Sequence, residues 1–374
     1  MHIVGATNMN HHLTQMLRCP ITKNSLRELS AGEIKEANRR IANGDMLHFD
    51  GTQVKREITA ALISSDGKYV YPCEEGILVL LQNLAIAFDK DGDGCASEAC
   101  LRDEKQNVQS FYNEVGWQKK AGDDFVDAQR YEDLRPVSKD YVEQCRLRVN
   151  NYLKPRGRFI LDVASGPIQF PEYLSYSSNF DTRICVDLSF AALKEAQRKL
   201  GDKGVYLLAD ITNLPIKDDA VDAAISLHTI YHVPKDEQSK AFHEIHRVLS
   251  PGSSAVVVYS WGPRSSLMNL MLFPLPIIRA MRATAKRLAN MRGKDFRPRL
   301  YAHMHDYKWF SEQKWGFDFD IVAWRSLSHH FSKVYVHSWL FGKQILKLFF
   351  WLEKSFPNVI GRIGQYPLLV LKKR

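Results

Sequence analysis

The sequence predicts an α/β protein built on a doubly wound, mostly parallel sheet of seven strands. From residue 159 onward, short apolar strands alternate with helical patterns, which indicates a parallel sheet covered by helices on both faces. The first four strands each end at a side chain that can carry a charge: Asp162, Asp187, Asp210 and His228. Because ligands of such sheets bind beyond the carboxyl ends of the strands, we expect a binding site where these four side chains meet.

The chain of 374 residues is long enough for two or three domains with a substantial core. Its 45% hydrophobic and 25% charged residues are typical of a soluble globular protein, and no apolar run is long enough to span a bilayer. Six scattered cysteines and the absence of a signal-peptide pattern predict reduced thiols and a cytoplasmic location. The net charge of +9 suggests an acidic partner or surface.

Residues 1–88 are predicted to form a small β-rich accessory module. A structural zinc site needs about four ligands, normally in short-spaced pairs. Only Cys19 and Cys73 are available in this module, and neither belongs to a CxxC pair. We therefore expect no metal site and interpret the module as a packing domain.

Residues 89–156 are predicted to be a linker followed by a helical flap. Asp89–Gly94 matches the first half of an EF-hand loop, but Cys100 stands where the twelfth residue should be a bidentate glutamate. A polar linker is therefore favoured over a calcium site. The aromatic residues of segment 110–117 fit either a flap over a cofactor or core packing, and core packing is the commoner use of such a pattern.

The strand at 159–163 opens the domain predicted for residues 157–374. The small residues Ala164, Ser165 and Gly166 follow it and let a ligand approach the backbone. Pro171 suits the first turn of a helix, where its missing N–H has no partner to lose.

The rest of this domain continues the alternation. Strands are expected at 182–187, 205–209, 221–227, 254–259, 317–324 and 366–371, and helices at 189–200, 236–249 and 338–356. Ser189 is the expected N-cap of the first of these helices. The last helix is apolar over a broad surface, which predicts burial against the sheet or a lid, with membrane contact as the alternative.

Two nucleoside cofactors fit this pattern to different degrees. Asp187 lies 25 positions after Asp162, close to the spacing at which an acid accepts hydrogen bonds from ribose hydroxyls. A dinucleotide also needs a glycine-rich turn that opens directly into a helix and holds the pyrophosphate, whereas Pro167 and Ile168 delay the helix here. S-adenosyl-L-methionine has no phosphate, and a carboxylate such as Asp162 favours its sulfonium and ammonium charges. We therefore predict S-adenosyl-L-methionine as the cofactor.

Four ordered motifs resemble class I S-adenosylmethionine-dependent methyltransferases, particularly the type-11 branch near the ubiquinone and menaquinone biosynthesis enzymes. The motifs are LDVASGP (161–167), VDLS (186–189), ADITNLPIKDDAVDAAISLHTIYHV (209–233) and HEIHRVLSPG (243–252). The resemblance implies a Rossmann-like fold and a methyltransferase activity. The N-terminal module is similar to a small zinc-ribbon-derived domain, the Trm112-like type, that accompanies some methyltransferases.

The resemblance also assigns the turn after the first strand to the methionine end of the cofactor. Asp162, Ala164, Ser165 and Gly166 are the residues concerned. The family usually has glycine where this chain has Ala164 and Ile168. Ala164 should be tolerated, whereas Ile168 suggests a loop that runs differently from the family pattern.

The next strand ends would hold the adenosine. The resemblance implies that Asp187, followed by Leu188, takes the ribose hydroxyls. Asp210 would accept a hydrogen bond from the adenine amino group, while the backbone N–H of Ile211 reaches a ring nitrogen. His228 would line the floor of the site near the sulfonium.

Methyl transfer needs a general base only when the acceptor is a hydroxyl, a protonated amine or a carbon acid. The segment after the strand at 221–227 places Tyr231 and His232 on the expected acceptor side. His232 is the candidate base or substrate contact, and Tyr231 its neighbour in the catalytic set. The alternative for His232 is a structural histidine packed over the cofactor.

Residues 262–316 interrupt the sheet pattern and are predicted to form a helical lid that sets acceptor specificity. Between residues 279 and 299, eight basic residues stand against one acid, Asp295. This segment fits a lid over an anionic substrate, contact with an anionic membrane surface, or a solvated face. The predicted acceptor is a small or lipid-like molecule that carries an anionic group. RNA or protein is the alternative acceptor, and a catalytically inactive binding protein is the alternative class; the sequence leaves the oligomeric state open.

Overall fold

The computed structural model describes residues 11–88, 102–119, 125–274 and 300–374. Its central element is one mixed β-sheet, in which eleven strands lie side by side and a twelfth, β5, pairs with β3. The strands are β1 Leu26–Glu28, β2 Ala61–Ser64, β3 Tyr69–Glu74, β4 Ile77–Val79, β5 Ile86–Ala87, β6 Gly157–Val163, β7 Phe180–Asp187, β8 Gly204–Leu208, β9 Val221–Leu227, β10 Leu249–Val258, β11 Asp318–Arg325 and β12 Tyr366–Lys372. Their order across the sheet is β1-β2-β3-β4-β8-β7-β6-β9-β10-β12-β11.

Seven of these strands form the predicted core of the sheet and confirm the fold class. β6 to β10 run parallel, whereas β12 is antiparallel to both of its neighbours, β10 and β11. The chain order reverses between the neighbours β6 and β9, and such a reversal opens a crevice at the carboxyl ends of the strands. The sheet therefore places a ligand site where the sequence predicts one.

Helices cover both faces of this sheet. The α-helices in the described residues are α1 His11–Met16, α2 Ala31–Ala42, α3 Asp103–Phe111, α4 Val126–Tyr131, α5 Lys139–Leu147, α6 Phe190–Leu200, α7 Gln238–Val248, α8 Ser266–Met271, α9 Tyr307–Glu312, α10 His329–Tyr335, α11 Gly342–Ser355 and α12 Pro357–Ile363. The consecutive residues Ile160 and Leu161 belong to different buried apolar clusters, because neighbouring side chains of a strand point to opposite faces. Ser189 caps α6 as predicted, since its hydroxyl accepts from the Ala192 amide at 3.2 Å.

The N-terminal strands extend the same sheet. β4 pairs in parallel with β8, with Leu78 opposite Leu207, so the small module continues the edge of the seven-stranded core. A second attachment lies near α1, where the Arg18 amide donates to the Pro215 carbonyl at 3.1 Å and the Lys217 amide donates to the Met16 carbonyl at 2.8 Å. The domain boundaries predicted from the sequence remain predictions, but β-sheet hydrogen bonds cross the first of them.

The C-terminal helix differs from its prediction. The expected helix at 338–356 is a short 3-10 turn, Ser338–Leu340, followed by α11. One side of α11 is buried through Leu346 and Phe349, but Leu348 and Trp351 on another side are exposed. The expected burial is therefore wrong for half of the helix, because a helix that is apolar on two sides can bury only one of them against a single layer.

Several sequence features lie outside the described residues. These are the segment 89–94 that resembles an EF-hand loop and the basic stretch 279–299 of the predicted lid. Within the described ranges, no three His, Cys, Asp or Glu side chains are grouped as metal ligands. The same ranges contain no helix with the length and apolar character of a membrane span.

Candidate functional site

A cavity of about 650 Å³ opens at the carboxyl ends of β6 to β9. This volume lies within the range of roughly 300–1,000 Å³ that is common for small-molecule sites. Every residue that the sequence analysis assigned to cofactor binding or catalysis lines this one cavity. They are Asp162, Ala164, Ser165, Gly166, Asp187, Leu188, Asp210, Ile211, His228, Tyr231 and His232.

The turn after β6 has an unusual backbone. Ala164, Gly166 and Ile168 all have a positive φ, of 55°, 56° and 51° respectively. This left-handed region suits glycine, and a β-branched residue such as isoleucine rarely adopts it. The turn therefore has glycine-like geometry at two positions without glycine, and the buried side chain of Ile168 packs into the apolar cluster on that face of the sheet.

Asp187 fastens this turn to the end of β7. One of its carboxylate oxygens accepts from the Gly166 amide at 2.8 Å, and the other accepts from the Ser189 amide at 2.8 Å. Burial raises the pKa of Asp187 to about 6, although the two amide donors oppose that shift. The carboxylate is thus held by backbone donors, and no ion pair reaches it from the described residues.

The other two strand-end carboxylates are already paired. Asp162 is buried and accepts from the Arg183 Nε at 3.0 Å. Asp210 accepts from the Lys105 ammonium at 2.6 Å and from the Thr212 amide at 2.8 Å. The sequence argument treats Asp162 as a charge available to the cofactor, whereas the buried guanidinium of Arg183 already balances it.

Neither cation was identified from the sequence. Lys105 lies on α3, far upstream of Asp210 along the chain, so no local pattern links the two. Arg183 lies within β7. A charged residue in the middle of a parallel strand is unusual, and this was the available signal that Arg183 has a buried partner. Such a residue needs a buried partner, and Asp162 on the adjacent strand is that partner.

A further carboxylate, Asp127 on α4, also lines the cavity. Burial raises the pKa of Asp127 to about 6. Like Asp187, Asp127 forms no ion pair with any residue that the structure describes. The sequence offered no signal for Asp127, because it lies in the linker region, away from every strand end.

His232 lies in a 3-10 turn, Ile230–His232, that follows β9. Its Nδ1 is 2.7 Å from the Tyr301 carbonyl oxygen. A carbonyl can only accept, so Nδ1 carries the proton, and the neutral imidazole keeps its lone pair on Nε2. Burial lowers the pKa of His232 to about 4, which keeps the ring neutral near pH 7. The Tyr231 ring lies beside it at a tilt of 53°, with ring centroids 4.6 Å apart.

His228 adopts a positive φ of 60° at the end of β9 and is buried by two rings. Its imidazole meets the Trp324 ring edge-on at 4.7 Å and the Tyr366 ring at 5.3 Å. Its Nε2 is buried and has no partner among the described residues. Burial lowers the pKa of His228 to about 3, so the ring is a neutral hydrogen-bonding group.

The wall next to His228 is formed by residues that are distant in sequence. Arg325, at the end of β11, donates to Glu132 at 2.7 Å, and its guanidinium lies 4.7 Å from the centroid of the Tyr366 ring. Burial alone would raise the pKa of Glu132, but the charge and hydrogen bond of Arg325, together with the charge of Arg146, hold that pKa below its ordinary value. We call Glu132, His228, Arg325 and Tyr366 the polar cluster. Of these four, only His228 was a sequence prediction.

Two further surfaces complete the cavity. Tyr112 and Trp117 stack with ring centroids 4.7 Å apart, and the Trp117 indole covers Gly166 so closely that an added Cβ would lie 3.2 Å from it. These aromatic rings line the cavity, as the flap interpretation of segment 110–117 requires. An apolar wall completes the lining with Pro263, Met268, Leu272, Leu300 and Met304.

Comparison with known proteins agrees with this geometry. Residues 161–257 match the family model of a methyltransferase domain. This stretch contains the end of β6, all of β7 to β9 and most of β10, together with every predicted cofactor and catalytic residue. The match confirms that this stretch is a methyltransferase domain.

Individual relatives cover only part of the chain. A probable tRNA methyltransferase 9B from Mus musculus is 30% identical over 134 residues, which are 35% of this chain and 28% of that protein. A malonyl-[acyl-carrier protein] O-methyltransferase from Hamiltonella defensa is 33% identical over 112 residues, 30% of this chain and 41% of that protein. The solved geranyl diphosphate C-methyltransferase from Streptomyces coelicolor is similar at a TM-score of 0.44 and 14% identity, over 73% of this chain and 98% of that chain.

Proposed function

We propose that this protein transfers a methyl group from S-adenosyl-L-methionine to a small or lipid-like acceptor that carries an anionic group. The observation on which the proposal rests is the convergence of all eleven predicted site residues on one cavity, beside a polar cluster and an apolar wall. The cofactor supplies a methyl group that its own sulfonium charge activates. The protein contributes binding, orientation and the exclusion of water.

The charges of the cavity fit a cationic cofactor. Asp162 and Asp210 are balanced by Arg183 and Lys105. Asp127 and Asp187, by contrast, line the cavity without an ion pair among the described residues. Two half-buried carboxylates with raised pKa values are stabilised when a cation arrives, and S-adenosyl-L-methionine carries a sulfonium and an ammonium group.

The opposite wall supports a lipid-like acceptor with an anionic head. Met268 and Leu272 offer an apolar surface for a hydrocarbon portion, and the polar cluster with His329 offers hydrogen-bond donors for a head group. The buried Nε of Arg325 has no partner among the described residues, nor has the His228 Nε2. Buried polar groups without partners are costly, so a ligand that bonds to them gains selectivity.

His232 is the proposed base or acceptor contact. Its hydrogen bond to the Tyr301 carbonyl fixes the tautomer that leaves Nε2 able to accept a proton or a hydrogen bond. A neutral imidazole in this position serves a hydroxyl or amine acceptor. A carboxylate acceptor would use the same contact for orientation only.

A nucleic-acid or protein acceptor is the second candidate. The similarity to a probable tRNA methyltransferase and to a methyltransferase that acts on malonyl-[acyl-carrier protein] favours it, as does the net charge of +9. A protein that binds the cofactor without turnover is the third candidate. The intact set of strand-end carboxylates argues against a loss of turnover.

One experiment separates these candidates. The full-length protein is incubated with methyl-labelled cofactor and host extract, and the label is then measured in lipid, small-molecule, RNA and protein fractions. We expect label in the lipid or small-molecule fraction, identified by a mass increase of one methyl group. Calorimetry with the cofactor and with its demethylated product measures binding separately.

Label confined to RNA or protein would overturn the proposed acceptor but leave the enzyme class intact. Cofactor binding without label in any fraction would favour the inactive binding protein. Absence of cofactor binding would overturn the proposed function as a whole.

A further inference from the structure

The C-terminal region exposes a group of large apolar side chains on α11 and on the residues that flank it. Trp339 is 78% exposed and Phe341 72%, while Leu348, Trp351 and Phe356 are 54%, 56% and 51% exposed. We call these five residues the aromatic surface. Exposed apolar patches of this kind are uncommon on soluble proteins and mark sites of contact with a partner or a membrane.

Helical geometry places these side chains together. Leu348 and Trp351 are three residues apart on α11, so they are neighbours on one face. Phe341 lies two turns before Leu348 on the same side, at the N-cap of the helix. At the other end, the Trp351 and Phe356 rings are 6.3 Å apart and meet edge to face. The aromatic surface therefore runs along the whole helix.

The charges beside the aromatic surface have one sign. Lys343, Lys347 and Lys354 are exposed on α11 and form no ion pair with the described residues. Glu353 is the one acid between residues 338 and 363. It is fully buried, where it accepts from the Tyr141 hydroxyl at 2.6 Å and pairs with Arg148 at 3.1 Å. The exposed part of this region is therefore aromatic and cationic.

We infer that this face docks on the surface of an anionic lipid bilayer. Tryptophan and phenylalanine side chains insert at the boundary between head groups and acyl chains, and flanking lysines attract anionic lipids. A protein partner fits less well, because lysine is depleted from protein–protein interfaces. The charge complementarity selects the anionic bilayer as the occupant.

One short element connects this surface to the cavity. α10 begins at His329, which lines the cavity, and ends at Tyr335, four residues before Trp339. Seven helical residues span about 10 Å. The cavity of a docked molecule would thus lie near the bilayer surface. The inference does not depend on which acceptor the enzyme uses.

The test uses the full-length protein and sedimentation with two kinds of vesicle, phosphatidylcholine alone and phosphatidylcholine mixed with phosphatidylserine. We expect binding to the mixed vesicles, a blue shift of tryptophan emission, and release near about 1 M salt, where the Debye length falls to about 3 Å. Replacing both Lys343 and Lys347 with Gln should weaken binding about 25-fold, since each lysine near such a surface contributes about fivefold. The matched control replaces Lys55 and Lys314, which are also exposed, with Gln and should leave binding unchanged.

The apolar contribution is tested by Leu348→Ser together with Trp351→Ser, for which we expect about tenfold weaker binding or more. Leu47→Ser, at a similarly exposed position of the N-terminal strands, is its control. If the Leu348→Ser, Trp351→Ser double variant bound the mixed vesicles as tightly as the wild-type protein, the inference would be overturned. Equal binding of the wild-type protein to both kinds of vesicle would also overturn it. Light scattering that shows a dimer abolished by the double variant would assign this face to a second copy of the chain instead. Calorimetry with the cofactor should give the same affinity for every variant.

Discussion

The two ends of the cavity are built in different ways. The cofactor end consists of Asp162, Asp187 and Asp210 with the turn at 164–166, and each part lies at the end of a parallel strand or just after it. The polar cluster at the other end joins Glu132, which follows α4, to the ends of β9 and β11 and the start of β12. Each residue of the cofactor end can thus be located from the strand beside it in the sequence. The residues of the polar cluster come from distant parts of the chain and meet only in the folded structure.

This difference separates the energetic roles of Asp187 and of the polar cluster. At the cofactor end, backbone amides hold Asp187, so a change there should affect ligand binding more than folding. In the polar cluster, a buried guanidinium and a buried carboxylate hold each other. The loss of either one leaves a charge in the interior without its close partner, since the other cation near Glu132, Arg146, is 4.0 Å away, and this destabilises the protein itself. The predictions below test this separation.

The largest effect is expected for Arg325→Met. It leaves Glu132 with Arg146, 4.0 Å away, as its remaining cation and should lower the free energy of unfolding by up to about 3–5 kcal/mol, as measured by urea denaturation. Adding Glu132→Leu to the same protein should restore most of this loss. Lys308→Met, which removes an exposed pair with Glu312, should change stability by less than about 0.5 kcal/mol. A small effect of Arg325→Met would show that the polar cluster is not a stability element.

His232→Ala should reduce turnover by about a hundredfold or more, because it removes the proposed base or acceptor contact. Cofactor affinity, measured by calorimetry, should remain the same. The matched control is His48→Ala, since the His48 Nδ1 bonds to the Leu84 carbonyl at 3.0 Å in the same manner but far from the cavity. Unchanged turnover would instead assign His232 a packing role.

Asp187→Asn should weaken cofactor binding about tenfold without a comparable loss of stability. The carboxylate, whose pKa is about 6, ionises as the pH rises through that value, and the ionised form attracts a cation. Wild-type affinity should therefore fall as the pH decreases below about 6, and the variant should lose much of this dependence. Asp222→Asn is the control, because Asp222 also accepts from two backbone amides, at 2.7 and 3.0 Å, without lining the cavity. A pH profile that Asp187→Asn leaves unchanged would contradict this role.

The smallest effect is expected for Ala164→Gly. The left-handed backbone at Ala164 costs about 1 kcal/mol with a Cβ present, so glycine should raise the free energy of unfolding by up to that amount. Ala191→Gly, at an exposed position in α6, should lower it instead. A loss of stability in Ala164→Gly would mean that the methyl group makes contacts worth more than the strain.

The sequence predicts those parts of the site whose signal is local. A strand pattern followed by an acid locates Asp162, Asp187 and Asp210, and all three reach one cavity. Their partners, Arg183 and Lys105, were not predicted, because ion pairs between separate elements have no characteristic separation along the sequence. Ile168 shows the same limit for the backbone, since its left-handed φ is enforced by its surroundings and not by its own preference.

The polar cluster and α11 show the second limit. Glu132 and Arg325 are 193 positions apart, and only the order of strands in the finished sheet brings them together. For α11, the composition predicts an apolar helix correctly but gives no reason to choose which side is buried. That choice depends on what lies beside the helix, which is a property of the whole fold.

The pairing of β4 with β8 has a consequence for association between copies of this chain. In its absence, Gly204–Leu208 would be a bare strand with open amide and carbonyl groups, and such strands recruit other chains into intermolecular sheets. The N-terminal strands therefore cover this edge of the parallel sheet. A protein that starts only after residue 88 should precipitate or form aggregates even if its cavity is intact.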